Sequence, residues 1–248
     1  SKKDKVLKKK ILIVGGTGFI GYHFAKKCIA NKLEVTSLSR SKPKKIRYLK
    51  EVRYIFSDIV DKKNLKLQLI DNYNYVINLG GDVDHHGKRT FKSHYNGCKN
   101  LVSIFKKKKI ERFIQVGSSA EYGKLKSPHK ENVTSNLFKS VKSNYAKAKL
   151  KSSIHLLNIY KKEKFPVTIF RIYLTYGPAQ DNNRVIPFTI QNCLKKKKFP
   201  CSDGEQLRDF IYINDVVDIM FKSLKKKDSI GEIFNICSGK PTNIKDLI

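Results

Sequence analysis

Tyr145-Ala-Lys-Ala-Lys149 sets a phenol and an ammonium four residues apart, which is about 6 Å along one face of a helix. A cation beside a phenol favours the phenolate, lowering its pKa towards the range where it exchanges a proton with a hydroxyl or a ketone. The same spacing occurs on exposed helix faces. Here, however, the pair follows a long run of alternating strand and helix signals, which argues for a site. Upstream, Ser118-Ser119-Ala120-Glu121-Tyr122-Gly123 supplies hydroxyls and a carboxylate directly after a strand signal. Asp82-Val83-Asp84-His85-His86 gathers carboxylates and imidazoles, the ligand types of a metal site, yet it has no further ligand at helical spacing. No metal is expected there.

A second chemistry is signalled by Gly15-Gly16-Thr17-Gly18-Phe19-Ile20-Gly21, which follows a strand signal and opens a helix signal. Glycines keep such a turn tight and let the backbone approach a pyrophosphate at the positive end of the helix. A purely structural turn is the competing reading, and the strand before and helix after favour dinucleotide binding. Gly15, Thr17, Gly18, Phe19, Ile20 and Gly21 are therefore candidate cofactor contacts.

These groups need a scaffold that brings them to one edge. Short apolar, β-branched runs at 11–14, 34–39, 53–56, 75–79 and 112–116 read as strands, and helical patterns fall at 19–30, 62–70 and 91–107. That alternation predicts a doubly wound parallel α/β sheet. A long helix over 141–162 carries Tyr145 and Lys149, and a strand follows over 167–173. After Gly177-Pro178 the rhythm loosens into a helix at 186–195 and a polar turn at 201–204. Strands at 210–213 and 232–236 flank a helix bearing Val216, Val217, Met220, Phe221 and Leu224. The final residues read as the opening of another helix, with Thr242 as its cap.

Taken together, the glycine spacing, the Tyr145/Lys149 pair and Arg208-Asp-Phe-Ile-Tyr-Ile-Asn-Asp215 resemble the extended short-chain dehydrogenase/reductase family, the NAD(P)-dependent nucleotide-sugar epimerases and dehydratases, over nearly the whole chain. The resemblance implies a Rossmann-like fold with a small, incomplete substrate-binding lobe. It divides the chain into a dinucleotide domain (1–174), a substrate-lobe segment (175–206), a return to the first domain (207–237) and the start of a truncated C-terminal lobe (238–248). Tyr145 and Lys149 become the catalytic core, with Lys149 also holding the nicotinamide ribose. Ser119 would hydrogen-bond the reacting oxygen, and Glu121 would assist next to a ketone. Asp58 and Ile59 match an adenine contact, although an isolated Asp58 also reads as a helix cap. Leu79, Gly80 and Gly81 match a close approach to the cofactor, to which Tyr173 is added. Asn183, Arg184 and Arg208 would meet the substrate diphosphate. His94 replaces a family asparagine, and Leu174 replaces a frequent substrate-contacting one. Dehydration is disfavoured, because relatives that lose water follow the catalytic hydroxyl with an Asp-Glu pair that is incomplete here.

NAD-dependent members end the second strand with an Asp, whereas this chain reads Ser39-Arg40-Ser41-Lys42. Those groups offer a 2′-phosphate charge-assisted hydrogen bonds, so NADP is the expected cofactor, with NAD as the alternative. The expected activity is reduction of a 4-ketosugar nucleotide, with 4-epimerisation as the alternative. A homodimer is expected through the helices at 91–107 and 141–162.

Composition bounds these expectations. The chain has 248 residues, 40% of them hydrophobic, and a formal charge of +31. The lysine excess lies in scattered clusters rather than one arm, which favours solvated helix ends over a nucleic-acid partner. A non-catalytic nucleotide- or RNA-binding protein is the competing class. No apolar run reaches the roughly 18 residues of a spanning helix, so no membrane partner is expected. The N-terminal segment lacks signal-peptide features, and the five cysteines lack Cys-x-x-Cys spacing. A cytoplasmic protein with reduced thiols is expected, in which the sequon Asn132-Val-Thr134 carries no glycan.

Overall fold

The computed structural model describes residues 8–82, 87–131 and 137–248. Val83 to His86 of the carboxylate–imidazole segment, and the sequon, lie outside the described residues.

In chain order the elements begin with β1 (Lys10–Val14), α1 (Phe19–Ala30), β2 (Glu34–Ser39), β3 (Arg53–Phe56), α2 (Lys62–Gln68) and β4 (Tyr75–Asn78). A π-helical turn (Lys92–Asn96) runs into α3 (Gly97–Phe105), then β5 (Arg112–Ser118), a 3₁₀ turn (Ser119–Tyr122), α4 (Leu137–Ser140) and α5 (Asn144–Glu163). The remainder is β6 (Val167–Ile172), β7 (Leu174–Tyr176), α6 (Val185–Leu194), β8 (Leu207–Tyr212), α7 (Ile213–Ser223), β9 (Ile233–Ile236), β10 (Pro241–Asn243) and α8 (Ile244–Leu247).

The large sheet has seven parallel strands in the order β3-β2-β1-β4-β5-β6-β9. Its central strands are apolar along their length because both faces are covered. On one face Leu65, Leu101, Phe105 and Leu156 from α2, α3 and α5 pack on Leu12, Val14 and Val76. On the other, Phe24 and Cys28 of α1 and Val216 and Met220 of α7 pack on Ile11, Ile13 and Ile77. The strand order reverses at β1, where β2 and β4 flank it, and this is the crevice in which such sheets bind ligands.

The helix expected over 91–107 runs to Phe105 and contains a π-helical turn at Lys92–Asn96, which places His94 where Ser152 of α5 donates to its carbonyl, 3.2 Å. Two expectations change. The strand at 207–212 does not rejoin the large sheet. It pairs with β7 and β10 in a separate sheet of order β10-β8-β7, so the chain returns to the first domain only at α7 and β9. Thr242 is not a helix cap, since it lies in β10 opposite Arg208 and Asn243 takes the cap position of α8.

Candidate active site

The glycine turn joins β1 to α1 and faces the end of β4. Gly15 sits at φ +83°, and a Cβ there would stand 2.9 Å from the Leu79 carbonyl carbon, so this close approach requires glycine. Gly18 caps α1 without a side-chain hydrogen bond, leaving first-turn amides without that partner. A cavity of about 250 Å³ opens beside the turn. Gly15, Thr17, Gly18, Ser39, Arg40, Asp58, Ile59, Leu79, Gly80 and Gly81 all line it, so the fold gathers most of the expected cofactor contacts. Phe19 and Ile20 turn their side chains to the core instead, and Gly21 is buried in the first turn of α1.

Charges ring the mouth of this cavity. Arg40 pairs with Asp82, and Arg89 pairs with Asp58 while lying 3.4 Å from Asp82. The helix cap is Asp61, which accepts from the Asn64 amide, so Asp58 is not one. Asp58 instead accepts from the Val60 amide, and that bond with the Arg89 pair holds its carboxyl below the usual range against the cost of burial.

The candidate proton-transfer groups meet at the end of β5. Ser143 caps α5 by accepting from the Ala146 amide, fixing where the helix starts and hence which face carries Tyr145 and Lys149. The Ser118 side chain stands beside the Tyr145 phenol and favours its ionised form against the larger effect of burial. Ser118, rather than the expected Ser119, is thus the serine that acts on Tyr145. The signal available for it was the capping-box spacing Ser118-x-x-Glu121: Ser118 caps the 3₁₀ turn, and Glu121 reaches back to its amide at 3.0 Å.

The Lys149 ammonium donates to the Val116 carbonyl at 2.8 Å and stands 5.7 Å from the Tyr145 ring centre. Burial lowers its pKa to about 8, against the Glu121 charge, which raises it. Contrary to the expectation of a lowered phenol, burial raises Tyr145, while the Ser118 side chain and the Arg184 charge pull the other way. Burial thus favours the protonated phenol. His94 meets it edge-on at 5.0 Å, and its Nε2 lies 2.8 Å from the Asp82 carbonyl.

Other candidates fall less centrally. Glu121 is fully buried against Arg171 at 2.9 Å, so its carboxylate is sealed from the cleft and unsuited to acid–base exchange there. Tyr173 does not line the cavity. Its hydroxyl lies 2.8 Å from His129 Nδ1. Arg184 occupies the cap position of α6 with Asn183 before it, both exposed. Arg208 is exposed and donates to the Leu207 carbonyl at 2.8 Å, while Asp209 accepts from the Ser238 and Gly239 amides, so the two do not form the surface pair that adjacency suggests.

A family model described as "NAD dependent epimerase/dehydratase family" matches residues 11–237. The chain belongs to this family. It is 30% identical to the dTDP-D-glucose 4,6-dehydratase of Dictyostelium discoideum, an alignment covering 95% of this chain and 60% of that protein. Among solved structures it resembles Pal from Bacillus thuringiensis, with TM-score 0.84 and 25% identity over 96% of this chain and 80% of that one. It also resembles UDP-glucuronic acid 4-epimerase from Bacillus cereus in complex with UDP-glucuronic acid and NAD, with TM-score 0.79 and 25% identity over the same shares.

As a member of the NAD dependent epimerase/dehydratase family, the chain can be tested for fit to a dinucleotide. The Gly15 approach, the α1 terminus without a side-chain cap, and the polar groups of Ser39, Arg40 and Asp58 lining the cavity supply the donors and acceptors such a molecule requires. The residues fit. Among the described residues, no group of three His, Cys, Asp or Glu is placed to hold a metal ion, and no helix is long and apolar enough to cross a membrane.

Proposed function

We propose that the protein is a nucleotide-sugar oxidoreductase that moves a hydride at C4 of the sugar, with reduction of a 4-keto group as the leading reaction. The observation that carries this reading is the Tyr145 ring 5.7 Å from the Lys149 ammonium, one helical turn apart on α5 where that helix meets the end of β5. A phenol that keeps its proton at neutral pH is suited to donate it to an oxygen that gains negative charge as a ketone is reduced. Ser118 steadies that oxygen, and Lys149 holds the ribose next to the reacting ring. Bound NADP(H) supplies the hydride. The glycine turn from Gly15 to Gly21 holds its pyrophosphate, Arg40 with Ser39 its 2′-phosphate, and Asp58 and Ile59 its adenine. Asn183, Arg184 and Arg208 grip the substrate diphosphate, arginine suiting bidentate phosphate contact.

Loss of water needs an acid and a base besides the tyrosine. The residues after Ser118 are Ser119 and Ala120, and Glu121 is sealed against Arg171, so the dehydratase chemistry of the Dictyostelium relative is not proposed. Likeness to the Bacillus cereus 4-epimerase supports epimerisation as the second reading. Stoichiometry decides between them. A reductase consumes one NADPH per product, whereas an epimerase returns the hydride to the same sugar. A panel of 4-keto and 4-hydroxy nucleotide sugars should show stoichiometric loss of NADPH absorbance with a 4-keto member. Inversion at C4 with no net absorbance change would replace reduction by epimerisation. If no sugar turns over, both readings fall and a binding role remains.

A further inference from the structure

Tyr145, Lys149 and Ser153 recur every fourth residue along α5 and so lie in one stripe. Each meets the end of β5 or the turn that follows it. Tyr145 lies beside the Ser118 side chain, which counters the effect of burial on its phenol, Lys149 donates to the Val116 carbonyl at 2.8 Å, and Ser153 donates to Glu121 Oε2 at 2.8 Å. The last of these contacts is made by a carboxylate with three partners. Glu121 also accepts from the Ser118 amide at 3.0 Å and from Arg171 Nε at 2.9 Å, and both members of that ion pair have no solvent exposure.

The arrangement is built around the carboxylate. A Cβ on Gly117 would lie 2.3 Å from Glu121 Oε1, so only glycine leaves room for it beneath β5. Arg171, on the neighbouring strand β6, is covered by the Tyr122 ring at 4.5 Å, and the Tyr122 hydroxyl donates to Asn235 of β9 at 2.7 Å. A buried ion pair is weak evidence for stability, because apolar residues of the same volume often serve as well. What this one does that apolar residues could not is bond to the Ser118 backbone and to α5 at the same time.

We propose that Glu121, held by Arg171, is a positioning residue that sets the Ser118 hydroxyl and the Tyr145/Lys149 face of α5 in register. This rests on the reading of Tyr145 as the proton-transfer group. Glu121 touches neither substrate nor cofactor and acts through Ser118 and Ser153. Its charge also faces Lys149, whose other neighbours are the Val116 carbonyl of β5, Cys98 of α3 and the Tyr145 ring.

The test uses Glu121→Gln, which keeps the shape and removes the charge, and Ser153→Ala, which cuts only the link to α5. In ¹³C-lysine NMR, Lys149 is identified as the resonance lost in Lys149→Met. In Glu121→Gln it should titrate lower by on the order of one pH unit, since an opposing charge is gone. On a sugar that turns over, both variants should lower kcat by roughly tenfold to a hundredfold, as misplacement of reacting groups does, with KM within about twofold. If Glu121→Gln does not fold, Ser153→Ala still decides: unchanged kcat in a folded Ser153→Ala protein overturns the proposal. Lowered melting with an unmoved Lys149 titration and unchanged kcat reduces Glu121 to a brace. Full activity of Tyr145→Phe would instead remove the reading of Tyr145, an outcome separate from the Lys149 titration.

Discussion

Arg40, just past the end of β2, forms an ion pair with Asp82, just past the end of β4, and β1 lies between those two strands. The pair therefore crosses above the end of β1, where the glycine turn begins. Asp82 is the more buried partner and also stands 3.4 Å from Arg89. An acid in this place competes with a 2′-phosphate for Arg40. Asp82→Asn should thus strengthen NADP binding relative to NAD by roughly 1 kcal/mol, the scale of a partly exposed pair. Arg40→Ala should abolish any preference for NADP. Calorimetric titration of both dinucleotides into the three proteins checks this, and an unchanged NADP/NAD ratio in both variants would remove Arg40 from cofactor choice.

Tyr145→Phe removes the proposed proton donor while keeping the ring that His94 meets edge-on. Turnover should fall by roughly two to four decades, with dinucleotide affinity and melting temperature nearly unchanged. A variant that keeps its rate would show that another group supplies the proton.

Lys149 gives a prediction about pH. Its folded pKa, about 8, lies below the ordinary 10.5 because burial disfavours the ammonium. Between those values the unfolded chain binds more protons than the folded one, so stability gains with rising pH. Relative to Lys149→Met, the wild-type unfolding free energy should rise by up to about 1.4 kcal/mol per pH unit across that window. Urea unfolding at pH 7.5, 8.5 and 9.5 measures the difference. A flat difference would mean that the ammonium is solvated when folded.

How far these features could be read from the residues differs by element. The boundaries of α1, β2 and β3 fall where the apolar runs and flanking turns put them, because each is a local pattern closed by local signals. The glycine turn was equally legible, being contiguous. Ser118 was harder to place, since two adjacent serines differ only in which one ends β5 and faces α5, and that is decided by a contact across 27 positions of sequence. The separate sheet of β7, β8 and β10 was not visible either: its strands are short, and their pairing partners are 30 or more residues apart. The Arg40–Asp82 and Glu121–Arg171 pairs share this character, joining residues 42 and 50 positions apart.

Two glycines separate backbone strain from crowding at the cofactor turn. Gly15 and Gly239 both occupy left-handed conformations, φ +83° and +73°, but a Cβ on Gly15 would press on Leu79 and Gly80 backbone atoms, whereas a Cβ on Gly239 would meet nothing within 4 Å. Alanine at either position takes on the strain of that conformation, roughly 1 kcal/mol. Only at Gly15 must the end of β4 also move, and that segment lines the proposed dinucleotide cavity. Gly239→Ala should therefore cost about 1 kcal/mol of stability and leave NADPH affinity unchanged. Gly15→Ala should cost roughly 2–3 kcal/mol, since backbone rather than a flexible side chain must give way, and should weaken NADPH binding at least tenfold. Denaturant unfolding and fluorescence titration of NADPH on the two variants measure both quantities. Equal losses of binding would mean that the approach of Gly15 to Leu79 is not what shapes the cofactor site.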